Sequence, residues 1–173
     1  MKKMIILLLL TISYLICDAQ EKVKFESTAS VGTFSYFLAL VMVDPGPNWR
    51  GYYLPREPGT GLLLTSTNGI RVFENFHFGV GISYANFRAI SGLMIFGDIR
   101  ADFSKKPFSM FLYVNPGYSH FWNQYEGGTD TGMFDFGIGV RHKIFVKSKV
   151  LFSIGLLSTQ MNSYLSSKLG YTF

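Results

Sequence analysis

The chain has 173 residues, a formal net charge of +5, and more aromatic residues (17 %) than charged residues (16 %). Soluble domains usually contain about a quarter charged residues. A chain of this size could hardly bury 17 Phe and 10 Tyr beneath so few charges, which argues against a soluble globular domain. The positive charge is modest and forms no basic stripe, so the sequence predicts no nucleic-acid partner.

The first residues have the layout of a secretory signal peptide. Lys2 and Lys3 form a basic start, an almost unbroken apolar run follows over 4–16, and 18–20 (Asp-Ala-Gln) ends it with small and polar residues. A transmembrane helix needs about 20 apolar residues, more than this run supplies. We therefore expect export and removal of a signal peptide over 1–19.

Cys17, the one cysteine of the chain, lies just before the expected cleavage site. Cleavage there leaves a mature domain without disulfides, thiolate metal ligands or a cysteine nucleophile. It also lowers the formal charge from +5 to +4, because two lysines and one aspartate are lost. An alternative stays open in which Cys17 is the lipidated first residue of a lipoprotein, although the bulky Ile16 before it disfavours that processing.

Apolar and polar residues alternate with a period of two through most of the mature sequence. In 76–84, for example, every second residue is Phe, Val, Ile or Tyr, and His, Gly or Ser stand between them. Such alternation predicts strands with two different faces. Eight strands are expected, at 22–36, 60–73, 76–88, 92–104, 107–122, 131–146, 149–159 and 162–173.

The connections between the predicted strands differ in length. Three of them are two-residue turns, whereas 37–59 is long and rich in Pro and Gly, and 123–130 is polar. Outer-membrane barrels have short periplasmic turns and longer external loops, and strands in lipid must close into a barrel because no edge can stay unpaired. We therefore predict an all-β fold for 20–173: an eight-stranded antiparallel up-and-down transmembrane β-barrel in the cell outer membrane.

Charged residues of both signs fall on the polar face of these strands. An Arg or Lys facing lipid near the bilayer midplane would cost about 2–4 kcal/mol, whereas inside the barrel it can pair with a carboxylate. Glycines on the same face suit a lumen just wide enough to be filled by side chains. The predicted lumen charge network comprises Arg71, Asp98, Arg100, Asp102, Asp135, Arg141 and Lys168; the glycines are Gly79, Gly81, Gly137, Gly139, Gly155 and Gly170.

Aromatic residues are expected at the two membrane interfaces, where their rings can lie among lipid headgroups. Near the periplasmic rim these are Phe76, Phe108 and Phe173, and near the outer rim they are Tyr84, Phe87, Tyr118, Phe121 and Trp122.

The loop 37–59 is the most distinctive segment of the mature sequence. Trp49, Arg50, Tyr52 and Tyr53 are of types enriched in binding hot spots, and long ordered loops often carry function. We expect the loop to contact an extracellular ligand or protein. The alternative is that its aromatic residues fold over the barrel mouth.

The Ser119-His120 pair near the outer rim raises the question of a hydrolase that acts on membrane lipid. A nucleophile and its base must lie within hydrogen-bond reach, but neighbouring residues on a strand point to opposite faces. Ser119 and His120 should therefore not serve each other. His77, His120 and His142 also lack the spacing of a metal site, so we expect no catalysis, metal or cofactor.

Three segments resemble the small outer-membrane β-barrel domain family, of the OmpX/OmpA-like and porin-family type. They are the signal end 18–20, the segment Asn68–Tyr84 and the closing segment 169–173 (Leu-Gly-Tyr-Thr-Phe). The resemblance covers essentially the whole mature chain and implies a barrel in contact with outer-membrane lipid. Its members differ widely in role, so it implies no activity.

The closing strand also looks like the signal that the barrel-assembly machinery reads during biogenesis. Leu169, Tyr171 and Phe173 alternate as that signal requires, while Ser167 departs from it. We expect a structural or surface-interaction role for the protein. Two alternatives stay open: a barrel enzyme that acts on outer-membrane lipid, and a soluble lipocalin-like carrier whose apolar face points inward to an apolar ligand.

Overall fold

A computed structural model describes residues 23–39, 59–73, 75–88, 90–122, 128–145, 148–160 and 162–173. The predicted signal peptide and the four loop residues Trp49, Arg50, Tyr52 and Tyr53 lie outside these ranges. The strands are β1 Lys24–Ala39, β2 Thr60–Val72, β3 Phe76–Phe87, β4 Ile90–Asp102, β5 Phe108–Trp122, β6 Gly128–Lys143, β7 Lys149–Thr159 and β8 Asn162–Thr172. In the described ranges, no helix is long and apolar enough to span a membrane.

The eight strands form one closed barrel in chain order. Each strand is antiparallel to its neighbours, and β1 closes the barrel by pairing with β8 from Thr28↔Thr172 to Ala39↔Asn162. Closure gives every strand two hydrogen-bonded neighbours, which a spanning sheet needs because lipid offers no hydrogen bonds. The predicted eight-stranded antiparallel barrel is confirmed.

Several strand bounds differ from the predicted ones, most clearly the end of β1 and the start of β6. β1 runs to Ala39, so the first residues assigned to the 37–59 loop belong to a strand, and a register shift against β8 lies between Tyr36 and Leu38. This irregularity interrupts the alternation of buried and exposed residues along β1. β6 begins at Gly128 rather than at 131, because its pairing with β5 continues through Trp122↔Gly128.

The outer surface of the barrel is mostly apolar, with some polar pairs on β1, β2 and β8 such as Ser27–Asn68 and Thr33–Ser167. Val80 is 67 % exposed, Ile95 58 % and Ile138 52 %, although each lies in the middle of a strand. Apolar side chains that face outward suit acyl chains, whereas a soluble carrier would turn them inward. The arrangement therefore opposes the lipocalin-like alternative.

The two ends of the barrel differ in their connections. At one end, which we name the turn end, the strands are joined by the connections 73–75, 103–107 and 144–148. The opposite end, named the loop end, carries the long connection 40–59 between β1 and β2. By the rule for outer-membrane barrels, the turn end is the periplasmic one.

Two of the aromatic residues expected at the outer rim lie inside the barrel instead. Phe87 is 1 % exposed and Phe121 is fully buried, whereas Tyr84, Tyr118 and Trp122 lie on the outer surface. The reason is that successive side chains of a strand point to opposite faces. Tyr84 and Asn86 share the outer face, which leaves Phe87 on the inner face. Trp122 is on the outer face, so its neighbour Phe121 is on the inner face. The prediction for Phe87 and Phe121 was wrong.

Candidate functional site

Ionic side chains from several strands converge in the lumen towards the turn end. Asp102 Oδ2 lies 2.7 Å from Arg141 Nη1 and also accepts a hydrogen bond from Arg71 Nη1. The second terminal nitrogen of Arg71 lies 2.8 Å from Glu26 Oε2, and Lys149 Nζ donates to Glu26 Oε1. Three cations thus surround two buried carboxylates, and each ion has an opposite charge beside it.

A second group lies deeper in the barrel, around Asp98. Arg100 donates through Nε to Asp98 Oδ1 at 3.0 Å and through Nη2 to Asp98 Oδ2 and to Thr67 Oγ1. Asp98 and Arg100 are both buried. This two-point contact fixes the guanidinium plane and balances two charges that have little access to water.

A third group surrounds Asp135. Lys168 Nζ donates to Asp135 Oδ2 and lies 5.0 Å from the centre of the Tyr113 ring. The Tyr113 hydroxyl donates to Asp135 Oδ1 at 3.2 Å, and Ser166 Oγ donates to the same oxygen at 3.4 Å. The carboxylate on β6 therefore receives hydrogen bonds from two other strands, β5 and β8.

Two side chains connect the three groups. The His77 ring lies between the turn-end group and the second group, with Nδ1 3.7 Å from Glu26 Oε2 and Nε2 3.3 Å from Asp98 Oδ2. The Asn115 amide lies between Asp98 and Asp135. In the orientation that also satisfies the Val114 carbonyl, its nitrogen donates to Asp98 Oδ1 at 3.2 Å, and in the opposite orientation it donates to Asp135 Oδ2 at 3.5 Å instead. The contacts thus run from Glu26 to Arg100, and Asn115 lies between them and the Asp135 group.

The structure places all seven residues predicted for the lumen inside it, and it adds three that the sequence analysis did not assign to the network. Glu26, His77 and Lys149 each contact a carboxylate or a cation of the groups above. His77 was on the polar face by alternation but was considered only as a metal ligand. Glu26 lies on the same buried face of β1 as Thr28, but the sequence around it is polar on both faces and gave no signal for that direction.

Large rings lie over glycines and fill much of the middle of the lumen. A Cβ added at Gly139 would meet the Phe111 ring at 2.3 Å, and one added at Gly155 would meet the Tyr113 hydroxyl at 2.1 Å. What remains is a cavity of about 50 Å³, lined in part by Asp98, Arg100 and Lys168. Because a water needs about 10–15 Å³, the cavity has room for a few water molecules beside these charges.

The loop end of the lumen is mostly apolar, which was not predicted from the sequence, although Ser119, Thr159 and Asn162 are also buried there. A buried cluster fills it, and Tyr36 and Ile90 pack against that cluster. The Phe34 ring centre lies 5.4 Å from that of Tyr164 and 5.7 Å from that of Phe87. We name this cluster the loop-end plug; its members are Phe34, Leu63, Ala85, Phe87, Met94, Phe96, Phe121, Met133, Leu157 and Tyr164.

Ser119 and His120 point to opposite faces of β5, as strand geometry requires. Ser119 is fully buried and its Oγ lies 2.8 Å from Thr159 Oγ1. His120 lies on the outer side, with Nδ1 2.5 Å from Asp130 Oδ1 and its ring 4.8 Å from that of Trp122. The two side chains therefore do not form a nucleophile–base pair.

The residues of the closing strand form an apolar row on the outer surface. Leu169, Tyr171 and Phe173 are all exposed, and the rings of Tyr171 and Phe173 stack with their centres 6.3 Å apart.

Among the described residues, no group of three or more His, Cys, Asp or Glu is arranged to hold a metal ion.

Comparison with known proteins gives the fold and no sequence family. No family model matches the chain, and no curated protein matches it either. Among solved structures, Neisserial surface protein A is 12 % identical, with a TM-score of 0.64 over 87 % of this chain and 97 % of that one. The N-terminal β-barrel domain of Pseudomonas aeruginosa OprF is 11 % identical, with a TM-score of 0.52 over 87 % of this chain and 100 % of that one.

These likenesses agree with the closed strand order, the apolar outer wall and the enclosed charges. The shared feature is the architecture of the barrel, because identities this low carry no information about individual residues. The chain is an eight-stranded transmembrane β-barrel of the outer-membrane type.

Proposed function

We propose that this protein is a structural component of the outer membrane that makes surface contacts through its β1–β2 loop and performs no catalysis. The observation that supports the proposal most directly is the loop-end plug. Phe34 and Tyr164 at its centre are fully buried, so side chains occupy the lumen where a solute would have to enter. This leaves the outer surfaces of the barrel as the places where a partner can be met.

The loop between β1 and β2 supplies the residue types that such a contact needs. Trp49, Arg50, Tyr52 and Tyr53 are the proposed contact residues, because aromatic and Arg side chains bring large apolar area and directed hydrogen bonds to an interface. The loop joins two strands that are anchored by twelve paired positions, Lys24↔Arg71 to Ser35↔Thr60. A rigid base of this kind limits the entropy lost when the loop binds.

Deletion of 45–58 with a short Gly-Ser replacement tests the proposal. Cells that display the wild-type or the shortened protein are compared on a glycan array and on immobilised extracellular-matrix proteins. We expect binding to be lost while the barrel still shifts its mobility on heating before electrophoresis. The matched control is deletion of 123–127 between β5 and β6 at the same end, which should retain binding. Unchanged binding and surface phenotypes after deletion of 45–58 would contradict the proposal.

The closing strand is proposed to guide insertion of the barrel. Phe173 and Phe108 are similarly exposed, at 62 % and 59 %, and both lie at the turn end, but only Phe173 belongs to the proposed assembly signal. We expect Phe173→Ser to reduce the folded fraction in isolated outer membranes several-fold, and Phe108→Ser to reduce it much less. Equal losses in the two variants would show that exposed apolar area at this rim is what matters.

A further inference from the structure

The turn end of the barrel opens into a cavity with a strong excess of positive charge. Its volume is about 390 Å³, which lies within the range of small-ligand sites. We name it the basic vestibule. The basic residues that line it are Lys24, Arg71, Lys105, Lys106, Arg141, Lys143 and Lys149.

The carboxylates close to the basic vestibule are fewer than its cations. Glu26 is the one carboxylate among the described lining residues, and Asp102 lies behind it in contact with Arg71 and Arg141. Seven cationic side chains against these two carboxylate side chains leave a formal side-chain excess of five. Glu74 belongs to the β2–β3 connection at the same end but lies outside the described residues, and even its full charge would leave a clear excess.

The cations form two tiers that differ in burial. Arg71 and Arg141 are buried at the floor of the vestibule, where Asp102 holds both of them. Lys105, Lys106 and Lys143 are exposed at its mouth. Buried guanidinium groups with exposed ammonium groups above them suit a phosphate group, whose oxygens accept several charge-assisted hydrogen bonds.

The walls of the vestibule indicate where such a phosphate would come from. Phe25 and Phe173, which are 70 % and 62 % exposed on the outer surface, line the same cavity as the cations. The cavity therefore borders on the lipid-facing wall. A free anion would gain nothing from those rings, whereas a lipid could place its headgroup among the cations and its chains against the wall.

The outer wall also holds an apolar groove near the vestibule. The groove has a volume of about 240 Å³ and is lined by Met110, Ile138, Gly139, Val140, Phe152 and Ile154. Within the groove, Met110 and Val140 lie nearest to the vestibule. They are three positions along the chain from the vestibule residues Pro107 and Lys143, respectively, or roughly 10 Å along a strand. This is within the reach of one acyl chain.

We propose that the basic vestibule binds the phosphate headgroup of an anionic phospholipid of the periplasmic leaflet, with an acyl chain lying in the groove. The site is independent of the β1–β2 loop, so it holds whether or not that loop contacts a partner. Binding there anchors the turn end at the headgroup level of the inner leaflet and sets the depth of the barrel in the bilayer.

Native mass spectrometry of the full mature protein in detergent tests the proposal. The protein is titrated separately with phosphatidylglycerol, with phosphatidylcholine and with inorganic phosphate. We expect retention of phosphatidylglycerol at least tenfold tighter than that of phosphatidylcholine, and weaker binding as salt is added. Equal retention of the two lipids would overturn the proposal, and so would inorganic phosphate that binds as tightly as the anionic lipid.

Single-charge variants locate the site. Lys106→Gln should weaken phosphatidylglycerol binding about fivefold, since a basic residue near a lipid surface contributes about that factor. Arg88→Gln, which removes one exposed charge at the loop end, is the matched control and should change nothing. The triple variant Lys105→Gln, Lys106→Gln, Lys143→Gln should lose about a hundredfold. Heat-modified mobility shows that each variant is folded, and equal effects of Lys106→Gln and Arg88→Gln would contradict the assignment.

Discussion

Arg141 Nη1 lies 2.7 Å from Asp102 Oδ2, and Arg71 contacts that same oxygen from the other side. Asp102 therefore contacts two buried guanidinium groups, of which Arg71 also pairs with Glu26. Removing the charge of Asp102 leaves Arg141 buried beside Arg71 without the carboxylate that it contacts.

We predict that Asp102→Asn destabilises the folded barrel by about 3–5 kcal/mol, the usual cost of stranding a buried charge. The control is Asp130→Asn, because Asp130 pairs with His120 at the surface and exposed pairs contribute about 1 kcal/mol or less. Equilibrium unfolding in urea from lipid vesicles measures both free energies. Equal losses in the two variants would show that the lumen is wetter than its side-chain packing indicates.

A second prediction concerns the outer surface of the barrel, where the free-energy cost of a charged substitution should depend on its depth in the membrane. Val80→Arg places a cation in the middle of β3 and should cost about 2–4 kcal/mol of unfolding free energy. Phe145→Arg, at a side chain of matching exposure (68 % against 67 %) in the β6–β7 connection, should cost about 0–1 kcal/mol, since it reaches the interface. Similar costs for the two variants in the same vesicle unfolding measurement would contradict the assignment of Val80 to the hydrocarbon region.

A third prediction tests the close approach of β6 and β7. Gly137 pairs with Gly155, and a Cβ at Gly137 would stand 2.2 Å from the Ile154 carbonyl oxygen and 2.5 Å from Gly155 Cα. Gly137→Ala must therefore shift the backbone, and we expect a loss of about 1–3 kcal/mol. Gly132→Ala in the same strand meets nothing within 4 Å and should change stability by less than about 0.5 kcal/mol.

The fourth prediction uses the two tryptophans of the chain as reporters. Trp122→Phe leaves Trp49 as the single reporter, and its fluorescence should be quenched by aqueous acrylamide if the β1–β2 loop lies outside the membrane. Trp49→Phe leaves Trp122, which lies on the outer surface at the end of β5 and should respond instead to brominated lipid. Quenching of Trp49 by the lipid probe would place the loop against the bilayer.

The alternation of apolar and polar residues was enough to predict the barrel. It also predicted that the main charged side chains point into the lumen, because the charged face of each strand has to avoid lipid. Asp98, Arg100 and Asp102 stand on the face opposite Ile95 and Ile99, and that parity can be read without any structure. In β1 the residues from Glu26 to Ser30 are mostly polar on both faces. Glu26 therefore had no apolar neighbour pattern to reveal its direction.

The pairing partners within the lumen could not be predicted in the same way. Residues that meet across the lumen come from strands far apart in the chain, such as Lys149 and Glu26, and the match depends on the stagger between strands. The loop-end plug was missed for another reason. Phe87 and Phe121 were placed by residue type at the outer rim, although parity directs them inward.

The charged side chains of the lumen come from seven of the eight strands when His77 on β3 is counted, from Glu26 on β1 to Lys168 on β8, and β5 adds the neutral Tyr113 and Asn115. A partly formed sheet cannot bring all of these charged side chains to their partners. They are neutralised together only when the first and last strands pair and the barrel closes. A slip of one residue in any pairing would turn that strand's ions towards the acyl chains. The ionic lumen thus favours correct closure, because a misaligned barrel would leave charged side chains without partners and would be less stable.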